Sequence, residues 1–194
     1  MGNVAGKRVA VLGQGGIGLS FTMLLEKQGA LQIIGIDPME ARRKKALEVG
    51  ATNTVDPSQD DMYGQIDELT SGEGIDIVVD ATGDPEGFGQ CLKIVKRWGM
   101  FVSFSLTGKG DKISSFPHQE FMFKAATIIP TQASATTVPT RDIRQMIALK
   151  ERGWIDPGVL KSHSLDFMDV QKAYDMYTSH EDGVIKIAMS VNGA

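Results

Sequence analysis

Two patterns of apolar residues alternate along this chain. In the first, short runs are apolar at nearly every position, as at 8–12, 31–36, 75–81 and 99–106. Runs of this length and density predict strands of a parallel sheet, buried on both faces. In the second, apolar residues recur at i, i+3 or i+4 and i+7. Ile17, Phe21, Leu24 and Leu25 form one such set, Met62, Ile66 and Leu69 a second, and Phe88, Cys91, Leu92 and Val95 a third. That spacing puts each set on one helix face.

Shorter strands are predicted at 51–55 and 126–129, and helices at 16–28, 38–49, 117–123 and 140–152, the last with Ile143, Met146 and Ile147 facing inward. A polar loop at 107–112 precedes an extended piece at 113–116. The final forty residues read as a turn at 155–158, a strand near 159–162, a helix over 168–177 and a strand over 184–190. Strand and helix alternate as far as residue 130. Right-handed crossovers then give an α/β fold, a Rossmann-type doubly wound sheet of six parallel strands in the order 3-2-1-4-5-6, with a C-terminal extension. The expected division is a nucleotide-binding domain over 1–154 and a terminal segment over 155–194.

Between the first strand and first helix stands Gly13-Gln14-Gly15-Gly16-Ile17-Gly18. Gly13, Gly15 and Gly18 match the G-x-G-x-x-G dinucleotide fingerprint. The first glycine allows a sharp turn, the second leaves room for a pyrophosphate, and the third lets the helix pack closely. The helix N-terminus offers N–H groups and partial positive charge to phosphates. The second strand ends in Asp37, 24 residues after Gly13. A carboxylate near the ~20-residue offset meets the ribose hydroxyls of the adenosine. Asp37 also suits the cap of a helix opening at Pro38.

The charge of −4, with no long basic run, points away from nucleic acid. Arg42-Arg43-Lys44-Lys45 reads as a solvated helix face. No apolar run approaches a membrane span and no signal peptide is evident, so the cytoplasm is the expected compartment. Cys91 is the only cysteine, which precludes an internal disulfide and a multi-cysteine zinc site. Its place in a helical apolar set marks it as a buried small hydrophobe. His118, His163 and His180 lack metal-ligand spacing and read as surface or loop residues.

Val11-Leu12-Gly13-Gln14-Gly15-Gly16-Ile17-Gly18, then Ile34-Gly35-Ile36-Asp37, Glu48-Val49-Gly50-Ala51 and Asp80-Ala81-Thr82-Gly83 together resemble the medium-chain, zinc-type alcohol dehydrogenases. So does the ending from Ile155-Asp156-Pro157 through Ala173-Tyr174 to Ile185-Lys186. The resemblance runs through nearly the whole chain. It implies the cofactor-binding half of such an enzyme, with the family's N-terminal catalytic domain and its zinc ligands having no counterpart here. On that basis Gln14 to Ile17 match the pyrophosphate turn, Asp37 the ribose acid, and Arg42 a basic position flanking the adenosine. Thr82, Phe104 and Leu106 match positions beside the ribose and nicotinamide, and Lys186 a basic residue near the phosphates. An acid at Asp37 repels the 2′-phosphate of NADP, so NAD is the expected cofactor, although Arg42 and Arg43 could meet a phosphate if swung over.

The stretch 113–116 resembles the family's edge strand, which implies a homodimer. Ser105 and Pro130 stand where the family usually has glycine. Hydride transfer by the chain alone is not expected. A non-catalytic nucleotide-sensing module and a methyltransferase stand as alternatives, and the terminal segment favours the dehydrogenase. None of Tyr63, Tyr174 and Tyr177 has a lysine four residues later, as short-chain dehydrogenases require.

Overall fold

A computed structural model describes residues 2–59, 61–106, 113–131 and 138–191; the loop expected at 107–112 lies outside them. Six parallel strands make the main sheet: β1 (Arg8–Leu12), β2 (Gln32–Ile36), β3 (Asn53–Val55), β4 (Ile75–Asp80), β5 (Val95–Ser103) and β6 (Thr127–Pro130). Their order is β3-β2-β1-β4-β5-β6, the doubly wound order expected from the alternating pattern. The intervening helices are α1 (Gly16–Lys27), α2 (Glu40–Glu48), α3 (Met62–Leu69), α4 (Gly87–Ile94) and α5 (His118–Lys124). After β6 come α6 (Pro139–Glu151), β7 (His163–Asp166), α7 (Val170–Ser179) and β8 (Ile187–Ser190). β7 and β8 pair in parallel as a separate two-stranded sheet, with His163 opposite Ile187.

Successive side chains of a strand point to opposite faces. Val9 and Val11 of β1 therefore join Leu19, Met23, Ile77 and Val79 in one core under α1, while Ala10 and Leu12 join Ile34, Val78, Leu92 and Phe101 in another under α3 and α4. Each fully buried Leu or Ile contributes about 2 kcal/mol relative to exposure, so the middle of the sheet anchors the molecule. Ile155, Leu160 and Ile185 of the last forty residues enter the α1-side core, with Leu149 and Trp154 packed against it. The terminal segment thus leans on the sheet layer at the end that carries the glycine turn.

Several local expectations are corrected. Residues 113–116 form no strand: Ser114 donates from its N–H to the Pro85 carbonyl at 2.9 Å, and Phe116 packs on Phe88 and Phe121. Aromatic packing, not edge pairing, fixes this piece, and the outer strand of the sheet is β6. Ile143, Met146 and Ile147 of α6 are exposed rather than inward, because the helix meets the core only near its end, through Leu149. The turn expected at 155–158 runs on as a 3-10 turn over Pro157–Leu160, where a strand was expected from 159, since the Asp156 side chain accepts the Gly158 N–H and Pro157 favours a turn. Strand β7 starts only at His163. The terminal strand is shorter than expected, because Val184 and Ile185 are buried before β8 begins. Val95 opens β5 rather than closing α4. Its register with β4 passes from Ile75 opposite Val95 to Ile77 opposite Met100, so residues 96–99 bulge outward and leave Trp98 73 % exposed. The strand then ends at Ser103, short of the expected Leu106.

Candidate functional site

The carboxyl ends of β1, β2, β4 and β5 converge on the glycine turn. Gly13 has φ +82°, and a Cβ there would lie 2.8 Å from the Ala81 carbonyl oxygen. Only glycine lets the end of β1 pass this close to the end of β4. At Gly18 an added Cβ would run into the Gly13 carbonyl oxygen, so α1 is pressed onto its own turn as well as toward the sheet. Gly15 differs: a Cβ would meet nothing nearer than Arg42 Nη1 at 4.0 Å, which leaves open space over the turn. Gly15 is also the N-cap of α1, and no side chain caps that helix. The first N–H groups of α1 are therefore available to an anion.

Gln14 plays a different part from its neighbours. Its side chain is fully buried, donating from Nε2 to the Val11 carbonyl and accepting from Thr22 Oγ1, both at 2.9 Å. Its backbone N–H donates to Asp37 Oδ2 at 2.7 Å. Gln14 holds the turn against β2 and presents nothing to the open space.

Asp37 is 2 % exposed. Its second oxygen accepts the Met39 N–H at 2.8 Å, closing the turn into α2, which begins at Glu40 rather than at Pro38. Of the four basic residues beside it, Lys44 is solvated as expected and pairs with Glu40, whereas Arg42 and Arg43 are turned inward. Arg42 Nη1 lies 3.7 Å from Asp37 Oδ2, and Nη2 lies 3.3 Å from His180 Nδ1 at the end of α7. Arg42 Nε is buried with no partner. Arg43 is turned away, donating to the carbonyls of Asp37 and Pro38 at 2.8 Å and pairing with Asp56 at 3.0 Å.

At the exits of β4 and β5 the organiser is Asp80, a residue not singled out from sequence. It is 2 % exposed. Its Oδ1 accepts from the Thr82 N–H and hydroxyl at 3.0 and 2.7 Å, and its Oδ2 accepts from Ser105 Oγ at 2.6 Å. Ser105, a departure from the expected glycine, thus ties the two exit loops together. The signal was present in β4, where the apolar run Ile77-Val78-Val79 ends in an acid followed two residues later by a threonine. Phe104 packs edge-on against Phe21 of α1 with centroids 5.3 Å apart, while Leu106 is exposed near Gly83.

A cavity of about 510 Å³ adjoins the turn, between the first residues of α1 and the terminal segment. Gly16, Ile17, Tyr174, Tyr177 and Lys186 are among the residues lining it. Lys186 is held through its backbone, its N–H donating to Ser162 Oγ at 3.1 Å, so its ammonium is free of that framework. The twelve residues expected at the site therefore gather at one end of the sheet. Gly16, Ile17 and Lys186 line the cavity, Gly18 packs on the Gly13 carbonyl, Gly13, Gln14, Gly15, Asp37 and Arg42 sit by β1 and β2, and Thr82, Phe104 and Leu106 by β4 and β5. His180, which bridges to Arg42, carries no local pattern that marks it in the sequence.

Among the described residues no group of three or more His, Cys, Asp or Glu could hold a metal ion. Burial, with the charge of Asp80, pushes the Cys91 thiol well above its ordinary value, away from the thiolate that zinc requires. No helix among the described residues is long and apolar enough to cross a membrane.

The profile of the family described as zinc-binding dehydrogenase matches residues 16–152. The chain is 31 % identical over 186 residues to an alcohol dehydrogenase of Cupriavidus necator, covering 95 % of this chain and 49 % of that protein. It is 30 % identical over 182 residues to an L-threonine 3-dehydrogenase of Bacillus velezensis, covering 94 % of this chain and 51 % of that protein. It spans about half the length of these curated relatives. Among solved structures, benzyl alcohol dehydrogenase from Acinetobacter calcoaceticus superposes with a TM-score of 0.86 at 21 % identity, covering 98 % of this chain and 51 % of that one. A short chain alcohol dehydrogenase from Escherichia coli CFT073, complexed with NADH, superposes with a TM-score of 0.83 at 21 % identity, covering 97 % and 53 %. At these identities the superpositions show the shared fold.

Proposed function

The chain belongs to the zinc-binding dehydrogenase family, and on that footing we propose that it is the dinucleotide-binding part of an NAD-dependent alcohol or polyol dehydrogenase. The observation that supports this most is the open space over Gly15 beside the buried carboxylate of Asp37. In this reading the pyrophosphate lies over Gly15 against the N-terminus of α1, between Gly16, Ile17 and Gly18 on one side and Lys186 on the other. The ribose hydroxyls of the adenosine donate to Asp37, whose oxygens each carry one backbone hydrogen bond and keep capacity for another. Arg42 flanks the adenosine with its Nη1 bordering the space over Gly15 that the pyrophosphate takes, and Thr82, Phe104 and Leu106 line the nicotinamide end. When bound, the nicotinamide supplies the hydride chemistry; this chain's residues bind and orient it. The described residues do not fit zinc. In this reading hydride transfer needs groups beyond those among the described residues, and the chain is not competent alone.

NAD is favoured over NADP because the charge of Asp37 opposes a 2′-phosphate and Arg43 is committed to Asp56 and two carbonyls. The reading keeps residues 1–154 as the nucleotide-binding domain, with 155–194 packing back toward a catalytic part, and places the protein in the cytoplasm. A homodimer is retained, with its seam moved from 113–116, which form no strand, to the outer edge of β6. Sedimentation at micromolar concentration is expected to give the dimer mass, and a monomer alone removes that element.

Calorimetric titration with NADH, NADPH and S-adenosylmethionine tests the reading. NADH is expected to bind and S-adenosylmethionine not to bind. Asp37→Ala should weaken NADH about tenfold, the size of one lost charge-assisted hydrogen bond. Preference for NADPH would overturn the cofactor assignment, and binding of S-adenosylmethionine alone would overturn the dehydrogenase assignment.

A further inference from the structure

Arg42 has a long side chain, and its guanidinium lies between Asp37, the glycine turn and His180. Nη1 lies 3.7 Å from Asp37 Oδ2 and 4.0 Å from the point where a Gly15 Cβ would stand. The guanidinium therefore borders the open space of the glycine turn. Asp37 alone does not fix it there. The nearer carboxylate oxygen already accepts the Gln14 N–H, 3.7 Å is longer than a hydrogen bond, and Arg42 Nε is buried with no partner. The remaining hold comes from the far end of the chain: His180 Nδ1, 3.3 Å from Arg42 Nη2. With its ring proton on Nε2, His180 accepts from the guanidinium through Nδ1. His180 is itself placed by the backbone, with φ +57° where it closes α7. Three residues on, a Cβ at Gly183 would touch the Ala41 methyl group at 3.1 Å, so this loop lies directly on α2.

We propose that His180 is a positioning residue of the phosphate site: it holds the Arg42 guanidinium against the glycine turn, so that the terminal segment sets the affinity for a nucleotide pyrophosphate. This rests on the dinucleotide-binding reading above. A guanidinium held beside Gly15 meets a pyrophosphate without first losing its rotational freedom, and charge-assisted hydrogen bonds to phosphate are among the stronger ones available. Released from His180, Arg42 has to be ordered by the ligand itself. The segment that supplies His180 also supplies Lys186, so both cationic contacts to the pyrophosphate depend on its docking.

Calorimetric titrations of the full chain with NADH, ADP and adenosine test this with three variants. His180→Gly removes the ring at a left-handed position that glycine adopts readily, so the fold is kept. His180→Asn retains an acceptor at the place of Nδ1 and also tolerates that conformation. Arg42→Ala removes the guanidinium. Expected is an about fivefold weaker affinity of His180→Gly for ADP and NADH, adenosine unchanged, wild-type affinity in His180→Asn, and no additional loss when His180→Gly is combined with Arg42→Ala. Unchanged ADP affinity in His180→Gly, an equal loss for adenosine, or additive losses in the double variant would each overturn the role of His180. Failure of the wild-type chain to bind any of the three ligands would instead overturn the dinucleotide-binding reading, and this proposal with it.

Discussion

Gly18→Ala is expected to destabilise the chain by about 3 kcal/mol and to abolish NADH binding, the upper end of what overpacking usually costs. The sign is informative, because alanine in place of glycine inside a helix ordinarily adds about 1 kcal/mol of stability. Here the new methyl group would collide with the Gly13 carbonyl oxygen, and backbone has no rotamer to yield with. Relief requires α1 to move off its turn. Gly13 cannot follow, since it is itself lodged against Ala81 and Thr82. The same movement would spread the N–H groups that face the open space over Gly15. Urea unfolding with an unchanged slope and a lowered midpoint, together with loss of the NADH titration signal, would show it. A stabilised variant would mean that the turn relaxes freely, and the close-packing argument for Gly18 would fall.

Asp80→Ala is expected to cost about 2–3 kcal/mol, the size of one or two buried donors left without an acceptor. The Thr82 N–H and the hydroxyls of Thr82 and Ser105 all lose their acceptor. Relief of the buried charge offsets part of that loss. Asp80→Asn should cost less than half as much, because its amide oxygen still serves Thr82 and the Ser105 hydroxyl can turn to accept from the amide nitrogen. The functional effect should divide by ligand. Affinity for ADP-ribose should change little, since the proposed dinucleotide site puts its phosphates and adenosine by β1 and β2, whereas NADH should bind more weakly. Equal weakening of both ligands would show that Asp80 supports the whole sheet end rather than the two exit loops.

Much of this arrangement is legible in short stretches of chain. The turn from Gly13 to Gly18, the helix behind it and Asp37 depend on contacts within some 24 positions, where strand length, helix period and glycine spacing speak directly. Strand order follows from alternation and crossover handedness. Legibility fails where a partner distant in sequence decides. Ile143, Met146 and Ile147 have the spacing of a buried face and are exposed. Residues 113–116 have the composition of a strand, yet Phe88 and Phe121 claim Phe116. The inward turn of Gln14 depends on Thr22 and on the bare backbone of Gly35, where an added Cβ would come within 3.2 Å of the Gln14 side chain. Arg42 and His180 are 138 positions apart, and neither carries a sign of the other.

β1 pairs with β2 on one side and with β4 on the other, so its two edges close at different times during synthesis. Once Ile36 has left the ribosome, one edge is satisfied. The other waits for Asp80, 44 residues later, or about 2–9 s at ordinary elongation rates. Throughout that interval Val9 to Leu12 present an open, apolar template to any neighbouring nascent chain. Lys7 and Arg8, just ahead of the run, stand where charged gatekeepers discourage such pairing. The topology that gathers the site at one end of the sheet thus leaves the organising strand the longest exposed.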